Sequence, residues 1–152
     1  MHMRGFTLVE ILISAAILSI VIMSVFGILR VGELSYSSDL GLLDLQQEAR
    51  IALDGMSREI RQAQAGTVAI SAGNTRVDFR IPNVVNQISY YLLNNQVIRE
   101  HPAGIRKVLS NDVGNLIFSL ANRIVRVQLG LAKVVRRVPL AFTLTEEVRL
   151  RN

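Results

Sequence analysis

From Ile11 to Leu29 the chain runs for 19 residues without a charge or a proline. A helix rises about 1.5 Å per residue, so this run covers roughly the 30 Å hydrocarbon core of a bilayer. The apolar stretch starts earlier, at Phe6, and between Phe6 and Leu29 the one ionisable side chain is Glu10. A secretory signal would have an apolar region of about 7–15 residues followed by a small-residue cleavage site. Here the run is longer, and Arg30-Val31-Gly32-Glu33 follows it. The reading is a retained membrane helix. Arg4 and the amino terminus place its start on the cytoplasmic side; Arg30 on the other flank weakens that bias without reversing it.

Glu10 is the costly residue. A carboxylate at the bilayer centre costs about 2.5–3.5 kcal/mol on insertion scales, and less near the edge. One turn inside the helix it can snorkel toward water. It can also face the positive end of the helix dipole, worth about 0.3–1 kcal/mol. The alternative is that it awaits a cationic partner, since a buried charge becomes tolerable once paired.

Arg4-Gly5-Phe6-Thr7-Leu8-Val9-Glu10, followed at once by the apolar run, resembles the prepilin signal of type IV pilins and type II secretion pseudopilins. The resemblance implies cleavage between Gly5 and Phe6 by prepilin peptidase and N-methylation of the new Phe6 amine. It further implies that Glu10 pairs with the amino terminus of a neighbouring subunit. Gly5 has no side chain to obstruct an extended backbone in a protease. The leader, residues 1–5, is short, and Arg4 is its one fixed charge.

Past Arg30, Leu42, Leu45, Ala49, Ala52, Met56, Ile60 and Ala63 recur at helical spacing. Arg50–Asp54 and Asp54–Arg58 are expected i,i+4 pairs on the wet side. Gly66 reads as the stop, and Ser35–Gly41 as a kink or a second N-cap. A helix from Phe6 to Ala65 would be about 90 Å long. The stripe could form a coiled-coil seam, but it is short and rich in alanine, which favours packing on the protein's own sheet. The wording of Gln46–Gly66 and of Ile88–Glu100, with the closing Leu150-Arg151-Asn152, is similar to J-type pseudopilins and PilW-like minor pilins.

Beyond Gly66 the period switches to that of strands, expected at 67–71, 75–81, 88–93, 97–101, 116–120, 124–131 and 138–150. Asn94-Asn95 and Ala72-Gly73-Asn74 are expected turns. Pro82 ends a strand, and Pro102 with Gly104 marks a loop. The fold class is therefore α+β: a long N-terminal helix, half membrane-embedded and half amphipathic, packed on a C-terminal antiparallel β-sheet, as in pilins. The expected organisation is a leader (1–5), a transmembrane and polymerisation helix (6–29), an amphipathic helix (30–65) and a sheet head (66–152).

Charge is unevenly shared. The whole chain is at +5. Residues 30–65 hold 4 basic and 6 acidic side chains, whereas 66–152 hold 12 and 5, which suggests helix–sheet or subunit–subunit complementarity. Nucleic-acid binding through Lys133, Arg136 and Arg137 is disfavoured, because no aromatics interleave with them for base stacking.

Catalytic chemistry is hard to place. There is no cysteine, and His2 and His101 lie far apart in sequence. Glu146 and Glu147 point to opposite faces of one strand. Asn111-Asp112 reads as a turn rather than a calcium loop, and no phosphate loop, nucleotide fingerprint or nucleophile motif occurs. The expectation is a structural subunit without catalytic site, cofactor or metal. By resemblance its partners are prepilin peptidase, other pilins through the helix, and an inner-membrane assembly platform. It would cross the cytoplasmic membrane once, with its head periplasmic or extracellular, and act as a minor subunit that primes or caps a filament. Rival readings are a major pilin and a membrane-tethered binding module or enzyme.

Overall fold

One helix dominates the computed structural model, which describes residues 7–151. It is α1, Leu8–Gln62, and its 55 residues form a single element roughly 82 Å long at about 1.5 Å per residue. The Ser35–Gly41 stretch is helical throughout, contrary to the expected kink or second cap. Its serines are absorbed into the helix, with the Ser37 and Ser38 hydroxyls donating back to the Leu34 carbonyl at 2.9 and 3.0 Å. The helix also ends before Gly66. Ala63 is extended, and the Gln64 N–H leaves the helix to donate to the Arg80 carbonyl at 3.0 Å. A bond from the head, rather than a glycine, terminates it.

The head contains two antiparallel sheets rather than the one expected. β1 (Ala69–Ser71), β2 (Arg76–Phe79), β3 (Ile88–Leu93), β4 (Gln96–Glu100) and β5 (Arg106–Ser110) form the first, in chain order. β6 (Val113–Ala121), β7 (Ile124–Val135) and β8 (Val138–Arg149) form the second. Backbone bonds join the two, from Phe118 N–H to Asn74 O at 2.7 Å and from Val113 N–H to Asn95 O at 2.8 Å.

One core serves all three layers. From α1 it takes Leu45, Ala49, Ala52, Leu53, Met56 and Ile60; from the first sheet Val77, Phe79, Tyr90 and Val97; from the second Leu116, Phe118, Val127, Leu129 and Leu131. The alanines at 49 and 52 carry little bulk on the buried face of α1, which packs mainly on β7 and β8. Leu45 is the first fully buried residue of the helix, so the amino-terminal half of α1 extends from the head as a free rod. Neither Arg50–Asp54 nor Asp54–Arg58 closes into an ion pair. The ion pairs among the described residues run from the helix to the head, between neighbouring strands, or, for Arg76–Asp78, within β2.

Candidate functional site on the exposed helix

The free half of α1 is apolar all round. Leu8, Ile11, Leu12, Ile17, Val21, Met23, Phe26 and Leu29 are all exposed, and none of the most apolar window is buried. Its serines do not spoil that surface. Ser14, Ser19 and Ser24 return their hydroxyls to the Glu10, Ala15 and Ile20 carbonyls at 2.8–2.9 Å. A rod whose backbone and serine hydroxyls are satisfied within itself suits a medium that offers no hydrogen bonds.

Glu10 lies in the first turn. Thr7 is the N-cap: its hydroxyl oxygen accepts the Glu10 N–H at 3.3 Å, and its carbonyl accepts the same N–H at 3.0 Å. Thr7-x-x-Glu10 before an apolar run is one half of a capping box, a signal that the sequence reading missed. The helix start is thus specified locally, and the Glu10 carboxylate has no ion-pair partner among the described residues. Arg4, Gly5 and Phe6, expected as leader charge and cleavage site, lie outside the described residues.

Where the rod meets the head, the β7–β8 hairpin lies along α1. Gly41 makes this contact possible: a Cβ there would stand 2.9 Å from Leu140 Cδ1 and 3.0 Å from Val135 Cγ2. Below it, the Arg136 guanidinium donates to Glu33 at 2.7 Å, which holds the Glu33 carboxyl below its ordinary range. The basic cluster weighed for nucleic acid is therefore split. Arg136 is engaged with Glu33, while Lys133 borders a groove with Ser37, Leu40 and Asp44.

Further up, polar networks fix the helix to the first sheet. Glu59 accepts from the Tyr90 hydroxyl at 2.7 Å and from Arg99 Nε at 3.0 Å. Burial, then the Glu59 carboxylate, push the Tyr90 phenol well above its usual range. Glu48 accepts the Asn111 N–H at 2.6 Å, so Asn111-Asp112 is a turn tied to the helix.

The outer face of the first sheet carries a second network, in which Glu100 accepts from Tyr91 and Asp78 is held by Arg76 and Ser89. Burial raises the Asp78 carboxyl, but those two bonds outweigh it and hold the group low. On the second sheet Glu147 pairs with Arg126 at 2.6 Å while Glu146 takes the other face. Among the described residues no group of three or more His, Asp or Glu side chains could hold a metal.

Residues 1–26 match the prokaryotic N-terminal methylation motif. No curated protein and no solved structure matches the chain. The match supports a type IV pilin-like prepilin segment, and with the long apolar helix it fits a membrane-anchored pilin. It ends at residue 26, so the likeness of Gln46–Gly66 to J-type and PilW-like proteins gains nothing from it.

Proposed function

We propose that this chain is a pilin-like or pseudopilin subunit whose helix is stored in the cytoplasmic membrane and then moved into a filament. Prepilin peptidase cuts between Gly5 and Phe6 and the Phe6 amine is methylated, removing the Arg4 leader. The methylation motif over residues 1–26 carries this reading. The free helix supplies its physical side, because an apolar rod needs either lipid or other rods around it. Residues 6–29 act as the spanning and polymerising segment, 30–65 as the stem, and 66–152 as the head that selects neighbours outside the cytoplasm.

Glu10 gives the exchange its direction. In lipid its carboxylate is a cost; beside the amine of a neighbouring subunit's Phe6 it becomes half of an ion pair. An inner-membrane platform supplies the extraction. A minor, priming or capping role follows from the similarity of residues 46–66 and 88–100 to J-type and PilW-like chains, and rests on that similarity alone.

Mass spectrometry of the protein purified from its native membrane tests the processing. The expected amino terminus is Phe6 carrying one added methyl group. A mature chain that still begins at Met1 overturns the reading.

A further inference from the structure

The turn that joins β7 to β8 is built from the wrong residues for its shape. Arg136 and Arg137 both have positive φ, 47° and 73°, the backbone of a two-residue turn that favours Asn and Gly. The chain places Asn94-Asn95 between β3 and β4, at 49° and 60°, and Asn122-Arg123 between β6 and β7, at 49° and 64°, so the β7–β8 turn is the one of the three without an asparagine. Two arginines in the left-handed region are unfavourable locally, and such positions concentrate where function requires them.

Their location supplies the requirement. Arg136 is bonded to Glu33, four residues beyond the end of the uncharged run at Leu29. Four residues of helix rise about 6 Å. The headgroup layer on one side of a bilayer is about 5–7 Å deep. With residues 6–29 in the membrane, the tip of the hairpin stands at the outer limit of that layer. Glu33 neutralises Arg136, whereas Arg137 and Arg30 have no ion-pair partner among the described residues. Val134 is 69% exposed beside the turn, and Val138 is partly exposed on its other side.

We infer that the β7–β8 turn is a foot that rests on the outer leaflet, with Arg137 pairing the phosphodiester of anionic lipid headgroups. Arg136, held by Glu33, sets the height of the foot along the helix, and Gly41 lets the hairpin lie close enough to reach down. The foot holds the head against the membrane before assembly and must let go when the helix is extracted. It rests on the membrane-spanning reading of α1, and the test separates the two.

The natural chain has no cysteine, so single-cysteine variants of the full chain can each carry one fluorophore. Ile20→Cys reports the span, Val134→Cys the foot, and Val85→Cys, 94% exposed in the β2–β3 loop, the far end of the head. Each is reconstituted in vesicles of equal parts phosphatidylglycerol and phosphatidylcholine, with quenchers on either the acyl chains or the headgroups. Acyl-chain quenchers are expected to quench the Ile20→Cys label. Headgroup quenchers should quench the Val134→Cys label well above the Val85→Cys label. Adding Arg137→Gly should cut that headgroup contact about fivefold, the size expected of one surface arginine, without lowering the thermal stability of the head, since glycine suits the positive φ. In pure phosphatidylcholine vesicles, where choline offsets the charge of each phosphodiester, the Arg137→Gly effect should be much smaller than in the phosphatidylglycerol mixture. Quenching at Ile20→Cys with Val134→Cys no better quenched than Val85→Cys overturns the foot and leaves the span standing. An intact foot signal after Arg137→Gly overturns the lipid pairing. Absence of quenching at Ile20→Cys removes both readings.

Discussion

At Glu100 three donors converge on one carboxylate: the Tyr91 hydroxyl at 2.7 Å, the Gly104 N–H at 2.9 Å and Arg106 at 3.3 Å. The Tyr91 bond is the strongest influence, followed by the Gly104 N–H, and the three together lower the carboxyl from 4.5 to about 2. A group whose folded-state pKa is depressed stabilises the fold while it is ionised. That contribution is complete above about pH 4.5 and disappears as the pH falls toward 2. Denaturant unfolding of the full chain in detergent, repeated across this window, should show stability falling, with a shallower fall in Glu100→Gln. Parallel curves for the two proteins would contradict the assignment. The neighbouring Arg99 points to the other face, toward Glu59, so two adjacent residues of β4 serve two separate networks. Glu59 lies thirty-one residues from Tyr90 and forty from Arg99, a separation that no local pattern discloses.

Among the elements, the seat of the β7–β8 hairpin on α1 depends on Gly41. Replacement by alanine improves helix propensity by about 0.8–1.0 kcal/mol. Against this, the new Cβ presses on Leu140, whose end can move, and on Val135, whose branched side chain moves less easily. The two effects nearly cancel for Gly41→Ala. Gly41→Leu overfills the seat and should destabilise the head by about 1–2 kcal/mol, while making the Arg136–Arg137 turn easier for trypsin to cut. A Gly41→Leu protein with unchanged stability and unchanged tryptic resistance would show that the hairpin is not seated there.

Much of the element order is legible in the chain: the stripe on the stem, the Asn94-Asn95 and Ala72-Gly73-Asn74 turns, and the alternation in β7 all announce themselves. β5 does not, because it begins with Arg106 and Lys107 on the exposed edge of its sheet, where charge protects an edge rather than marking a loop. The start of β6 is hidden by a register shift between Val113 and Asn115, which breaks the two-residue period on which the reading depends. The division into two sheets falls between β5 and β6, neighbours in sequence that do not pair, and no local pattern marks that break. Of the candidate site, the apolar run and Glu10 are visible as local patterns, whereas the Glu33–Arg136 contact bridges 103 residues.

Across the described residues, the molecule is a roughly 82 Å helix with a head on one end and no other described residue covering the other. The head is secured by a shared core and by carboxylates on the helix, Glu33 and Glu48 reaching the turns at Arg136 and Asn111 and Glu59 reaching β3. The exposed half carries one acid in its first turn. On the proposed reading such a chain is complete only among companions, with lipid as the temporary substitute. The most direct test is incorporation of Glu10→Ala, expressed beside the wild-type filament components. Membrane fractionation and shearing should find the variant inserted in the membrane at wild-type levels yet missing from assembled filaments. Glu10→Ala protein that enters filaments as readily as the unaltered chain would contradict the account.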